Sequence, residues 1–381
     1  MNVKNTRKPQ PRVESYDMSK LRVQAYGADN LYPQHVMSIV AASGTATLCL
    51  NRYQKFVEGF GFQDVRLSEL EVARDVMLDD VLHAVAHDLC MFGGFALHAD
   101  YDVFGRITSI HAVPFEMCRK EEQDERGYVA HICVHEDWSG KKLRKNRPVK
   151  VDNTTIRRYD VFNPQPEVVQ AQIEEAGGID EYKGQILYVS MERQQYPTPI
   201  YDAAVTEIST DEGLGNVKYR NVRNNFLVSA MMTVKKGAPD TLEHGEEGEE
   251  NGIRMEDLEQ FQGDTRAGQL MLIEVEDLED APKIEQFPTH NFDKEFTATD
   301  QSTVERIYAQ FHQEAFYALR TGKTGFSTEN ERSAYESYAG EVTYEQRFIE
   351  RVFSKVFNYW YMGGEYDFTI QPMKYVTINE G

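Results

Sequence analysis

The stretch Val304-Glu305-Arg306-Ile307-Tyr308-Ala309-Gln310-Phe311-His312-Gln313-Glu314-Ala315-Phe316-Tyr317-Ala318-Leu319-Arg320-Thr321-Gly322-Lys323-Thr324-Gly325-Phe326 changes character once, at Arg320. Up to Leu319, the residues Val304, Ile307, Tyr308, Phe311, Ala315, Ala318 and Leu319 recur at spacings of three and four, which predicts a helix over about 296–319. From Arg320 onward the two glycines, two cations and lack of apolar period predict a loop. Thr328 followed by Glu331 is a capping box, and the helix it starts carries Phe348, Ile349, Val352, Phe353, Val356, Phe357 and Trp360 on one stripe. That stripe predicts a buried helix.

Upstream, the prolines of Tyr196-Pro197-Thr198-Pro199-Ile200-Tyr201-Asp202 force extended or turn geometry, and Asp202 is placed to cap a helix running to about Phe226. Its stripe, Ala204, Ile208, Val217 and Val222, is interrupted by Gly213 and Gly215, each costing about 1 kcal/mol against alanine. Between the two helices lie an apolar run from Leu227 to Val234 and a turn at Gly237-Ala238-Pro239. An acidic low-complexity stretch over 242–252, a short helix near Met255 to Phe261 and a strand at Gln269 to Val275 follow. The order is therefore helix, β-containing insertion, helix, loop and aromatic helix.

The N-terminal half starts with a polar arm and continues with helices over about Pro33 to Val57 and Ser68 to Met91. Strands and turns take over from Phe95 to Val134, with Asp102 and Gly105 at hairpin positions. Asp137 to Lys150 reads as a basic exposed loop. Pro164 to Ala176 reads as a short helix closed by Gly177-Gly178, Gly184 to Ser190 as one more strand, and Tyr366 to Ile378 as two short strands returning to the sheet. The fold class is α+β.

With 381 residues, 41% hydrophobic and 11% aromatic, the chain has the material for a substantial core. No apolar run approaches the ~18 residues of a membrane helix, and Met1 to Ser15 lacks the apolar core of a signal peptide, so an intracellular protein without membrane partners is expected. Cys49, Cys90, Cys118 and Cys133 contain no Cys-x-x-Cys pair, which favours reduced, buried thiols. The net charge of -21 argues against ordinary DNA affinity, because phosphate binding is driven by Lys and Arg displacing counterions.

Catalytic patterns fail one by one. His83 and His87 are spaced i and i+4 with Asp88 and Cys90 nearby, but a zincin needs Glu where Ala84 stands. Gly322-Lys323-Thr324 ends like a phosphate-binding loop, yet the required upstream glycine falls at Tyr317. The acids Asp75, Asp79 and Asp80, like Asp277, Glu279 and Asp280, read as solvated faces. No enzyme, cofactor or metal is expected.

Taken in order, the elements resemble the portal proteins of tailed bacteriophages, in their short form, over about residues 25–375. Phe92-Gly93-Gly94-Phe95-Ala96-Leu97, then Asp102, Gly105-Arg106-Ile107 and His111-Ala112-Val113-Pro114, is similar to that family's helix, small-residue turn and strand, D-x-x-G turn, strand and (L/A)-x-P segment. Tyr196 to Asn225 is similar to the G-x-S-P-L-x-A approach to a long helix ending near N-G, here Arg223-Asn224-Asn225-Phe226. Gly325-Phe326-Ser327-Thr328 resembles the (Y/F)-S-(N/T) signal after the tunnel loop, ahead of a helix carrying Glu345-Gln346-Arg347-Phe348-Ile349-Glu350. The family's (V/I)-P-P-x-(L/M)-(L/F)-G is replaced by Phe316-Tyr317-Ala318-Leu319-Arg320-Thr321-Gly322, without proline. Little chain follows Trp360, which implies a minimal or absent crown.

The resemblance implies a phage portal-like subunit: a flexible arm (1–24), a mixed α/β wing (25–195), stem helices (196–226 and 293–319) around a β-containing clip (227–292), a tunnel loop (320–327), a long helix (328–361) and C-terminal strands (362–381). It implies a homo-oligomeric ring, usually of twelve, at one capsid vertex of the virion, assembled in the host cytoplasm. Double-stranded DNA would pass through it weakly held during packaging and ejection. The implied partners are the terminase large subunit, the major capsid protein or scaffold, and the head-tail connector. The implied DNA-facing residues are Arg320, Thr321, Gly322, Lys323, Thr324, Gly325 and Phe326. The implied clip contacts are Glu246, Glu247, Glu249, Glu250, Met255, Leu258 and Phe261. Two alternatives stay open: another virion ring component, adaptor or baseplate, and an acidic metal-dependent enzyme using His83, His87 and Asp88.

Overall fold

Ser43 divides the first helical region into α1 (Tyr32–Ala42) and α2 (Gly44–Glu58), where one helix over 33–57 was expected. Its backbone is extended and its Oγ accepts the Ala46 amide at 3.0 Å, so it serves as the cap of α2. The helix expected from Ser68 forms only from Leu78 onward. A helical turn, Val65–Ser68, leads into a tight antiparallel hairpin, Glu71–Ala73 with Val76–Met77, and α3 (Leu78–Phe92) follows. Glu71 Oε1 accepts the Asp75 amide at 3.1 Å, and this local bond competes with helical pairing.

The computed structural model describes residues 17–18, 21–144, 147–148, 150–192, 195–224, 228–235, 269–275, 292–323, 325 and 327–376. Most of the expected arm, the turn at 237–239, the acidic stretch at 242–252 and the short helix at 255–261 lie outside the described residues. Val23, which the arm was expected to include, is buried, and Val23–Gln24 pairs with Asp17–Met18.

One six-stranded sheet follows α3: β1 (Gly94–Tyr101), β2 (Ile107–Val113), β3 (Cys118–Lys120), β4 (His131–Val134), β5 (Arg157–Val161) and β6 (Gln185–Ser190), in the order β2-β1-β6-β5-β4-β3. The β1–β2 turn is built as the Asp102 and Gly105 pattern predicts, with Asp102 Oδ1 accepting the amides of Phe104 and Arg106, both at 2.9 Å. Only β5 and β6 are parallel, and the crossover such a pair requires contains α4 (Pro166–Ala176). Gly93, at φ +79, lets α3 pass directly into β1. A Cβ there would stand 2.7 Å from the Thr198 carbonyl oxygen. The four cysteines are free and buried.

By contact density the chain forms two compact units, Met1–Ser209 with Thr303–Gly381, and Thr210–Ser302. The helix α5 (Val205–Asn224), the strands β7 (Val228–Lys235) and β8 (Gln269–Val275), and the helix α6 (Phe292–Gln310) come next in sequence. Within the second unit β7 and β8 pair in parallel, and Lys218 of α5 lies 2.8 Å from Asp300 of α6.

The first unit is completed by α7 (Glu314–Arg320), α8 (Thr328–Glu341) and α9 (Thr343–Phe357). The single helix expected over 328–361 therefore breaks at Val342, which is buried. The cap of α8 is Ser327, whose Oγ accepts the Asn330 amide at 3.2 Å, rather than Thr328. Glu331 accepts the Tyr375 hydroxyl at 2.7 Å instead of closing a capping box. The tail also departs from expectation, since among the described residues it forms no strand beyond isolated bridges. Residues 359–361 meet the free edge of β2 through Ile107, while Gln371 and Thr369 pair with the backbone of residues 60–63 after α2. Among the described residues no helix is long and apolar enough to cross a membrane.

The predicted stripe on α9 is buried, with Ile349 and Phe353 fully so. The Phe353 ring sits 5.5 Å from Phe62 and 6.1 Å from Phe368. Phe353→Ala is expected to lower stability by about 3 to 5 kcal/mol in denaturant unfolding. A near-neutral value would contradict this packing.

Candidate functional site

The helix expected to run unbroken to Leu319 stops at Phe311-His312-Gln313, where His312 turns left-handed at φ +56. The fully buried Gln313 side chain occupies the break. Its Nε2 donates to the Cys49 carbonyl at 2.8 Å and to the Tyr338 hydroxyl at 2.9 Å, and its Oε1 accepts from Arg52 at 3.0 Å. The Tyr338 hydroxyl donates onward to the Phe311 carbonyl at 3.1 Å, and the Arg52 guanidinium lies over the Phe316 ring at 4.3 Å. One amide thereby ties the break to α2 and α8.

The same corner holds the approach to α5. Gln310 donates to the Ile200 carbonyl at 2.7 Å, Phe311 stacks on Tyr201 at 5.0 Å, and Arg306 lies 3.3 Å from Glu207. The Tyr201 hydroxyl donates to the Met91 carbonyl at 2.7 Å, fixing this corner to the end of α3. Asp202 does not cap the helix. It accepts the Tyr32 hydroxyl instead, and α5 starts at Val205.

The segment implied to face DNA is held at both ends. Gly322, at φ +72, closes α7: its amide reaches the Leu319 carbonyl at 3.1 Å, and the Lys323 amide reaches that of Ala318 at 2.9 Å. Ser327 begins the next helix. Arg320, Thr321, Gly322, Lys323 and Gly325 are all exposed, while Thr324 and Phe326 lie outside the described residues. Both cations fold back on the preceding helices, α6 and α7. Arg320 donates to the Tyr308 hydroxyl at 3.0 Å, and Lys323 stands 3.6 Å from Glu305 with its ammonium 4.9 Å from the Tyr317 ring centre. The implied clip residues Glu246, Glu247, Glu249, Glu250, Met255, Leu258 and Phe261 lie outside the described residues.

A basic face that the sequence reading missed lies on α9. Arg347, Arg351 and Lys355 recur every four residues on the exposed side and line an open cavity of about 810 Å³ with Tyr344, Tyr366 and Thr369. Glu350, within that stripe, is engaged by the Ile370 amide at 2.9 Å. The i, i+4, i+8 spacing of the cations was the available signal.

The residues considered for an enzyme are bound elsewhere. His83 Nδ1 lies 2.9 Å from Glu58, and His87 Nδ1 lies 3.0 Å from Asp88. That hydrogen bond raises the His87 pKa, while burial raises that of Asp88, whose second oxygen accepts the Phe115 amide at 3.1 Å. These contacts make Asp88 a bracket between α3 and the segment after β2.

No protein-family model matches the chain, and no curated protein matches it. Among solved structures it is similar to a chain of the virion of a native gene transfer agent particle (12% identity, 80% of this chain and 74% of that one, TM-score 0.45). It is also similar to a chain from the neck of the native particle computed with C12 symmetry (14% identity, 80% and 76%, TM-score 0.43). A third is from the neck of the empty particle computed with C6 symmetry (12% identity, 80% and 75%, TM-score 0.42).

Gln313→Ala leaves the Cys49 carbonyl and the Tyr338 hydroxyl short of a buried partner. The expected loss is about 2 to 4 kcal/mol in urea unfolding, because each orphaned buried polar group costs about 1 to 3 kcal/mol.

Proposed function

We propose that the chain is a ring-forming portal subunit of a phage-like particle, forming a channel for double-stranded DNA. The observation that carries this reading is the corner just described. The long helices α5 and α6, on either side of the β7–β8 insertion, are fastened to one another at residues 200–207 and 306–313, and a short exposed turn bearing two cations follows directly. That arrangement agrees with the element order resembling portal proteins.

On this reading residues 25–195 are the wing, α5 and α6 the stem, 227–292 the clip that meets terminase and the head-tail connector, and 320–327 the loop toward DNA. The charge balance suits a sliding polyanion. A basic lining would add salt-dependent adhesion at every phosphate contact, whereas a chain of net charge -21 repels the duplex and leaves contact to a few placed cations.

Negative-stain microscopy of the purified chain, across salt concentrations and with scaffold or capsid protein, is expected to display closed rings with a central channel. Monomers or two-fold dimers under every condition overturn the proposal. Deleting Thr321–Gly325 is expected to leave ring assembly intact while reducing DNA packaging or retention. Failure of assembly in that deletion would remove the loop from the channel.

A further inference from the structure

The hairpin β1–β2 carries a cluster that the portal reading does not use. His98 on β1 and His111 on β2 are directly opposed in the antiparallel register, and Asp100 lies two residues beyond His98, on the same face of β1. Donor atoms of the three side chains lie within 4.8 Å of one another, the single such group of three or more among the described residues.

The His98 ring is fixed by its surroundings. Its Nε2 lies 2.6 Å from the Lys183 carbonyl oxygen, and a carbonyl can only accept, so this nitrogen carries the proton. Gly184, at φ +73, permits that approach: a Cβ there would stand 2.3 Å from the Ala99 carbonyl oxygen and 3.0 Å from His98 Nε2. With Nε2 as donor, a neutral ring has its lone pair on Nδ1. That atom is buried, in a side chain only 9% exposed, and has no hydrogen-bond partner among the described residues. It faces Asp100 Oδ1 at 3.7 Å, while Asp100 Oδ2 accepts the Ser109 hydroxyl at 2.7 Å. The unpartnered Nδ1 and a carboxylate oxygen are therefore neighbours on the same face of the hairpin. The His111 ring lies alongside, its centre 4.8 Å from that of His98. Loss of hydration and the neighbouring imidazole hold its pKa below the usual histidine value.

We propose that His98 Nδ1, Asp100 Oδ1 and a ring nitrogen of His111 form a binding site for a divalent transition metal of the zinc class, with a fourth position open to solvent. Two imidazoles and one carboxylate are a donor set such ions take, at about 2.0 to 2.2 Å per bond. The Lys183 carbonyl and the Ser109 hydroxyl are the outer contacts that orient metal-bound histidine and carboxylate groups. The members that must close on the ion are the accessible ones, since Asp100 is 48% exposed at its side chain and His111 is exposed, while His98 stays fixed. The bound ion would brace β1 against β2 and, through Lys183, against the segment leading into β6. The proposal is independent of ring formation.

The test is calorimetric titration of the tag-free, chelator-treated full chain with Zn2+, with Co2+ as a spectroscopic probe of coordination. One equivalent is expected to bind, with Co2+ giving the visible absorption of a low-coordinate nitrogen and oxygen site. Asp100→Asn and His111→Ala, both at accessible positions, are expected to fold and to weaken binding at least tenfold, and Ser109→Ala to weaken it about tenfold. No stoichiometric uptake, or uptake unchanged in Asp100→Asn and His111→Ala, overturns the site. A His98 ring protonated on both nitrogens at neutral pH, unaltered by added Zn2+, would identify the occupant of the gap as a proton and overturn it equally.

Discussion

A single buried carboxamide, that of Gln313, decides where the C-terminal helices can go. Both Nε2 hydrogens and the Oε1 acceptor are used, by Cys49 and Tyr338 on one side and Arg52 on the other. A buried polar network of this kind works as a unit, because each member left unpaired carries its full desolvation cost. The break at His312 is therefore specified. The left-handed residue turns the chain, Gln313 locks the turn to α2 and α8, and Phe311 is left facing Tyr201. The start of α5 and the end of α6 inherit their relative position from that lock.

The N-terminal half uses a second buried polar hub on the same logic. Arg119 is fully buried with no carboxylate within salt-bridge distance among the described residues, and its guanidinium donates to Asn30 Oδ1 at 2.6 Å and to the carbonyls of Asn30, Cys118 and Glu116 at 2.7 to 2.9 Å. Tyr26 stacks between Tyr32 and Tyr196 at 5.2 and 4.2 Å, with the Arg119 charge 5.4 Å from its ring centre. Burial lowers the Arg119 pKa, and backbone oxygens and ring faces offset the loss of water. The hub joins the chain before α1 to β3 and to the Tyr196-Pro197 turn that precedes α5.

The sequence made element types legible wherever one physical signal dominated. The α9 stripe, the Asp102 turn, the Gly177 stop and the strands at 185–190 and 269–275 follow from periodicity and turn chemistry alone. Breaks inside periodic stretches were not legible. At Ser43 and His312 the apolar period continues across the break, and the chain departs from the helix because a cap or a buried amide elsewhere rewards the departure. Gln313 is polar and reads as solvent-facing, although it is among the most buried side chains. The histidine cluster was hidden for another reason. His98 and His111 are distant in sequence, and only the hairpin register sets them opposite one another.

The cations near Gly322 pose a question of strength rather than of presence. Lys323 and Glu305 are 3.6 Å apart with side chains 56% and 55% exposed, the regime in which an ion pair contributes about 0 to 1 kcal/mol and salt weakens it further. A phosphate approaching Lys323 displaces little by opening such a pair, and Glu305 holds the lysine again when the phosphate leaves. The backbone around it is not so free, because Gly322 and Lys323 close α7 through the Leu319 and Ala318 carbonyls and Ser327 caps α8. On the portal reading, a turn anchored at Gly322 and Ser327 and carrying loosely held charge, in a chain of net charge -21, can touch a polyanion repeatedly without retaining it.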